Sequence, residues 1–322
     1  MYPTAYVPGY GPIAGCRFTS LRKHPPDLAN RAKPCGESPG ESTVLTIGRE
    51  ILVVATTALN PTIGVEVTGV EDLQDEEVIA RCTEALKWRG VLVIRGLHLD
   101  DEAQLAFCRR LGTVLAPAGP GKEIFTITLD PSKNPAAEYL KGTFFWHIDD
   151  TTHATPARST VLTARHVAME GGGTQFASTY AAYEALSPEQ QQRYEKLRVV
   201  HSFEASQRLA NPTPTDEQVQ AWRRQPGHEV ALVWPRADGR KSMVLGATAD
   251  HVVGMDPAES RALLDELLEF ATQPRFSYTH DWQVGDLVVW DNTGILHRAL
   301  PYDQSSEREL HRTTIAGEEA WA

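Results

Sequence analysis

The chain has 322 residues, 41% of them hydrophobic and 23% charged, enough apolar material for the core of one large domain or two small ones. A formal net charge of −11 excludes a general nucleic-acid binder, which needs a basic face to meet phosphates. No apolar run approaches the roughly 18 residues of a bilayer-spanning helix, so no membrane partner is expected.

Residues 1 to 44 are rich in Gly, Pro and Ser without periodicity and read as an arm or tail, leaving 45 to 322 as a single domain. Met1 to Gly15 lacks the charged-then-apolar order of a secretory signal. Cys16, Cys35, Cys82 and Cys108 have neither metal-binding spacing nor disulfide-framework density. A reducing, cytoplasmic setting follows as the expectation. Asp75 caps a predicted helix with Val78, Ile79, Cys82 and Leu86 at helical spacing, closed by Gly90. Val91 to Ile94 is a short buried strand. A second helix starts at Asp100, with Leu105, Cys108 and Leu111 on its apolar face and Gly112 at its end. Ile124 to Leu129 alternates as a strand does.

Beyond Gly142, strands dominate: Ser159 to Arg165, Glu229 to Trp234, Ser242 to Leu245, Leu287 to Trp290 and Arg312 to Ala316. Ala237-Asp238-Gly239-Arg240 is a hairpin signal between two of them. Ser187-Pro188-Glu189-Gln190 combines an N-cap, a first-position Pro and a capping-box Gln, and helix starts recur at Thr215 and Asp256. Early helices followed by many strands predict an α+β, mainly β fold, with antiparallel sheets and helices packed outside. A jelly-roll barrel fits this pattern, and such barrels hold ligands in their mouths.

The stretch Phe144-Phe145-Trp146-His147-Ile148-Asp149-Asp150 carries the most chemistry. In an extended chain, residues i and i+2 share a side, so His147 and Asp149 can face one ion while Ile148 packs away. Trp290-Asp291-Asn292 leads into His297, a third ligand. Two imidazoles and a carboxylate on one face of an octahedron form the facial triad of non-haem iron(II) oxygenases. Each piece alone is weak: His-x-Asp is common by chance, and His297 is one of 11 histidines. Arg308 and Arg312 follow, eleven and fifteen residues past His297. A buried far carboxylate of a dicarboxylate cosubstrate needs such a guanidinium, although a lone arginine is more often a surface ion-pair partner.

From Thr57 to the C-terminus the sequence resembles the taurine and chlorophenoxyacetate dioxygenase family of Fe(II)/2-oxoglutarate enzymes. The resemblance rests on Ile63-Gly64-Val65-Glu66-Val67-Thr68-Gly69-Val70, Val91 to Gly96, Trp146 to Asp149, Gly172-Gly173-Thr174, the Trp-Asp-Asn before His297, and the paired arginines. It implies a double-stranded β-helix, a cupin-like jelly roll with flanking helices. It also implies a dioxygenase that consumes 2-oxoglutarate and O2, oxidises a small organic substrate and releases succinate and CO2. By this resemblance His147, Asp149 and His297 are the Fe(II) ligands. Thr174 and Arg308 hold 2-oxoglutarate, and Arg312 matches an arginine that reaches a substrate anion in members with acidic substrates.

Further candidate substrate contacts are Ala116, Phe144 and Asp150, from walls expected at Ala116 to Pro120, Glu138 to Phe145 and Asp150 to His153. His153, His166, His201, His251, His280 and His311 are read as structural. The His and Tyr of taurine-binding members are missing from Leu111 to Pro120, which disfavours taurine. Asp149 stands where related halogenases carry a small residue, which favours hydroxylation over halogenation. Desaturation, oxidative cyclisation and carbon–heteroatom cleavage use the same residues and remain open. So do a metal-binding sensing barrel and zinc hydrolysis on the same ligands. Family members are often dimers or tetramers.

Overall fold

The computed structural model describes residues 54–116, 119 and 121–322. The expected arm, Cys16, Cys35 and three of the residues from Ala116 to Pro120 (Pro117, Ala118 and Pro120) lie outside the described residues.

The chain opens with β1 (Ala55–Ala58) and β2 (Val65–Thr68). The Asp75 carboxylate then accepts from the amides of Glu77 and Val78 and starts α1 (Glu76–Arg89), with Val78, Ile79, Cys82 and Leu86 buried as their spacing predicted. Gly90 ends it at φ 71°, where a Cβ would collide with Ile295, so both backbone and packing demand glycine. β3 (Val91–Ile94) is buried throughout.

In α2 (Asp101–Leu111), capped by Asp100, the buried face is Gln104, Phe107 and Cys108; the predicted Leu105 and Leu111 are only half-buried. The stripe is rotated because Gln104 is drawn inward by hydrogen bonds. Its amide donates to the His311 carbonyl and Thr313 Oγ1, and its oxygen accepts from Thr163 Oγ1 at 2.6 Å.

β4 (Phe125–Ile127) is shorter than its alternation suggested, and α3 (Ala137–Leu140) follows. Next come β5 (Ser159–His166), β6 (Thr174–Ser178), α4 (Thr179–Glu184), and α5 (Pro188–Tyr194) with the anticipated capping box. A further layer holds β7 (Arg198–His201), α6 (Phe203–Ala210), α7 (Asp216–Arg223), β8 (His228–Ala231), β9 (Val233–Pro235), β10 (Lys241–Met243), β11 (Ala249–Val252) and α8 (Pro257–Ala271). The run expected as one strand from Glu229 to Trp234 breaks at Leu232, whose backbone pairs with Leu197 and Val244. Gly239, at φ 87°, turns the β9–β10 hairpin. The chain closes with β12 (Ser277–His280), β13 (Leu287–Asp291), β14 (Ile295–Ala299) and β15 (Glu309–Ile315).

Seven strands form one sheet in the order β1-β2-β3-β13-β5-β15-β4, antiparallel except between β2 and β3. A second sheet, β12-β6-β14, is extended by a bridge in which the His147 and His297 backbones exchange hydrogen bonds of 3.0 and 2.8 Å. The two sheets face each other. Val288, Trp290, Leu162 and Leu310 of the first share a core cluster with Phe176 and Ile295 of the second. Leu287, Val289 and Val161 point the other way, against α1 and α2. The period of two along β13 therefore sends alternate side chains to the core between the sheets and to the helices.

Candidate active site

The extended backbone at Phe145 carries the chain past β14, and His147 and Asp149 project to the same side. Ile148, 2% exposed, packs on the other side into the core cluster built from α4, α8 and β7 to β11, as period-two geometry requires. Asp150 at φ 59° turns the chain away at once, a left-handed conformation that Asp tolerates better than most residues. Gly246 lets a neighbouring loop close over this segment, since a Cβ there would lie 2.7 Å from the Trp146 carbonyl oxygen.

His297 on β14 completes the group. The donor atoms of His147, Asp149 and His297 all lie within 4.8 Å of one another. Asp149 Oδ1 is 3.9 Å from His147 Nε2 and 3.6 Å from His297 Nε2. Other contacts leave these atoms available. His147 Nδ1 donates to the Phe145 carbonyl at 2.8 Å, so the Nε2 lone pair faces inward. Thr160 Oγ1 donates to Asp149 Oδ2 at 2.8 Å and itself accepts from Asn292 Nδ2 at 2.8 Å, which leaves Oδ1 for the centre. Burial, reinforced by the neighbouring His297, pushes His147 down to about 4, so it is a neutral donor at physiological pH. Burial alone would raise Asp149, but its neighbours, His297 first and then Arg312, hold it well below the ordinary carboxylate range. Two imidazoles and a carboxylate whose inward-facing donor atoms lie this close together form a donor set that suits a divalent cation such as Fe(II).

These residues line a cavity of about 620 Å³, counted to its open mouth. Its walls are largely apolar, with Ile127, Leu129, Leu140, Phe144, Leu162 and Leu310 contributing. Arg308, Leu310 and Arg312, at spacing two on and beside β15, all face it. Arg308 is 3% exposed; its Nε donates to the Gly172 carbonyl at 3.0 Å and its guanidinium lies 4.7 Å from the Tyr302 ring centre. No carboxylate among the described residues forms an ion pair with it. Thr174 is buried in the wall, and its Oγ1 accepts from the Trp282 indole N–H at 2.9 Å. Arg312 is half-exposed, with its NH1 3.9 Å from Asp149 Oδ1 and its guanidinium 5.2 Å from the Phe125 ring centre.

Of the predicted site residues, His147, Asp149, His297, Thr174, Arg308, Arg312 and Phe144 meet in this cavity. Ala116 and Asp150 are not among its lining residues. The Ala116 carbonyl accepts from the Gly119 amide, and the left-handed turn directs the Asp150 carboxylate toward His153, 3.7 Å away. None of the six histidines read as structural lines it. Tyr302, Thr160 and Trp282 were missed. Thr160 and Leu162 carry a usable signal, since they alternate with Val161 on β5; Tyr302 and Trp282 sit in loops, where no period exists to read.

The geometry agrees with the relationships of the chain. The taurine catabolism dioxygenase TauD, TfdA family matches residues 55–314. An (S)-phenoxypropionate/alpha-ketoglutarate-dioxygenase from Sphingobium herbicidovorans is 34% identical over 273 residues, 81% of this chain and 94% of its own length. An alpha-ketoglutarate-dependent 2,4-dichlorophenoxyacetate dioxygenase from Cupriavidus pinatubonensis is 36% identical over 282 residues, 79% and 96% of the two chains. The crystal structure of AAD-2 with Mn(II) and N-oxalylglycine superposes with a TM-score of 0.72 at 32% identity, covering 84% of this chain and 100% of that one. The protein is a 2-oxoglutarate-dependent dioxygenase, an oxidoreductase that uses Fe(II), 2-oxoglutarate and O2 on a small organic substrate. Within that class it belongs to the TauD/TfdA family. No helix among the described residues is long and apolar enough to cross a membrane.

Proposed function

We propose that His147, Asp149 and His297 bind the Fe(II), that Arg308 and Thr174 hold the far carboxylate of 2-oxoglutarate, and that the protein hydroxylates a small anionic substrate with an apolar body. The observation that carries the cosubstrate assignment is the buried Arg308 guanidinium on the cavity wall without a carboxylate partner among the described residues. Burying that charge unpaired is costly, so a bound carboxylate is the natural complement. When bound, the iron supplies the chemistry that couples decarboxylation of the 2-oxo acid to succinate with oxidation of a substrate C–H bond.

The chain's own tasks are positioning and exclusion. Thr160 and the Phe145 carbonyl orient Asp149 and His147. Gly172 and Tyr302 fix Arg308 from two sides. The leucine and isoleucine walls keep water from the reacting carbon. At the half-exposed Arg312 we place the substrate's anionic group, with Phe144 against its apolar body; the apolar lining and this one open guanidinium support that class. Facing sheets ordered β4-β15-β5-β13 and β12-β6-β14, the second extended by the His147 segment, support a double-stranded β-helix. A cytoplasmic setting, which keeps iron ferrous, completes the reading.

Anaerobic apoprotein titrated with Fe(II) and 2-oxoglutarate should develop a visible metal-to-ligand charge-transfer band that His147→Ala abolishes. Bound iron without a band overturns the ligand and cosubstrate assignments. Succinate release should follow addition of aryloxy- or alkyl-carboxylates and not of their amides. An equal response to both sinks the anionic class, and the oxidised product separates hydroxylation from desaturation, cyclisation and bond cleavage.

A further inference from the structure

Thr174 stands at the end of β6, paired in register with His280 of β12. Two residues beyond His280 the chain folds Trp282 back over this pair, where its side chain joins the core between the sheets. The indole N–H donates to Thr174 Oγ1 at 2.9 Å, and this is the only hydrogen bond of that hydroxyl among the described residues. The indole is itself held. The His280 ring meets it edge-on, with centroids 4.5 Å apart and planes at 80°. His280 Nε2 bonds the fully buried Asp286 at 3.1 Å, and Asp286 also accepts from Arg95 at 2.7 Å and from the Gln283 amide at 2.9 Å.

We propose that Trp282 is a positioning residue for the cosubstrate: its N–H occupies a lone pair of the Thr174 hydroxyl and so aims the hydroxyl proton into the cavity as a donor. A threonine hydroxyl has one O–H to donate and two lone pairs that accept, and an indole N–H can only donate. With the indole in place, the hydroxyl is left with its O–H to offer. An ionised carboxylate only accepts, so an O–H aimed into the cavity matches it. Without Trp282 the hydroxyl rotates freely, and part of the cosubstrate's binding free energy goes to orienting it. The His280–Asp286–Arg95 cluster holds the indole and makes no contact with the cavity.

This inference rests on the assignment of Thr174 to 2-oxoglutarate, and the test separates the two. The dissociation constant of 2-oxoglutarate is measured by calorimetry on anaerobic Fe(II)-loaded protein, for wild type, Trp282→Phe, Thr174→Val and the double variant. The thermal midpoint of each metal-free protein is measured alongside. Losing one such hydrogen bond should weaken binding roughly three- to tenfold in Trp282→Phe. The double variant should bind no more weakly than Thr174→Val alone, because the two act through one bond. Any loss of thermal stability from Trp282→Phe should persist in both backgrounds. An equal weakening in the Thr174→Val background would show a merely structural role and overturn the proposal, as would unchanged affinity in Trp282→Phe. Unchanged affinity in Thr174→Val alone would instead remove Thr174 from the cosubstrate site. If Trp282→Phe does not fold, 3-benzothienylalanine at position 282 keeps the bicyclic shape and removes only the N–H, and the same outcomes apply.

Discussion

Replacement of Arg308 by methionine is expected to cost cosubstrate affinity while leaving the fold intact. The side chain is 3% exposed, bonded through Nε to the Gly172 carbonyl at 3.0 Å and packed on the Tyr302 ring at 4.7 Å. Burial pulls its pKa below the ordinary arginine value, the sign of a charge held at a cost. Methionine fills similar volume and preserves the contact with Tyr302, removing the charge and one hydrogen bond. Leaving the Gly172 carbonyl without its donor costs about 1–3 kcal/mol. Relief of an unpaired buried guanidinium returns an amount of the same order or larger. The thermal midpoint of the metal-free protein should therefore hold within about 2 °C or rise.

Cosubstrate binding should respond quite differently. Removing one partner of a buried, hydrogen-bonded charge pair costs about 2–5 kcal/mol, or roughly 30- to several-thousand-fold in dissociation constant. Chelation at the metal is untouched, so the charge-transfer band should still form at saturating 2-oxoglutarate. Anaerobic titration of that band measures the affinity, and a thermal scan of metal-free protein measures the fold. An unchanged dissociation constant, or a collapse of the thermal midpoint with cosubstrate affinity retained, would refute the reasoning.

Thr160→Val should weaken metal affinity about 10- to 100-fold by freeing Asp149 Oδ2 and orphaning Asn292 Nδ2; competition with a chromophoric chelator reads it, and unchanged affinity would exclude Thr160 from orienting the carboxylate. The Cys82 and Cys108 thiols, pushed up to about 12 by burial, should resist alkylation at pH 8 in the folded protein and react only on unfolding, as peptide mass spectrometry would show. Burial acts to raise Asp286, but the His280 bond, the Gln283 amide and Arg95 outweigh it and hold the carboxyl below its ordinary value. Its stabilising contribution is then complete above the unfolded carboxylate value near 4 and is lost as pH falls through the lower folded value. Asp286→Asn should lower stability at pH 7 and flatten the acid limb of a denaturation series; an unchanged acid limb would contradict this.

Local signals in the sequence determined much of this protein. Asp75, Asp100, Ser187, Thr215 and Asp256 start helices because capping is satisfied within a few residues, whatever the rest of the chain does. The two-residue period placed His147 and Asp149 together, because it is a property of the extended backbone itself. What needed the tertiary structure was every relation without a period. The rotation of α2 about Gln104 depended on acceptors and donors from β5 and β15, more than fifty residues away in sequence. The bridge joining His147 to His297 spans 150 residues and exists only once β14 lies beside the first ligand segment. Trp282 and Tyr302 reach the site from loops whose course is set by the sheets they connect. Asp150 turned away from the cavity because a turn's direction depends on φ, and neighbours in the chain need not be neighbours in the site. Local hydrogen bonding and alternation are written in adjacent residues, and the convergence of distant segments on one cavity is decided by how the two sheets pack.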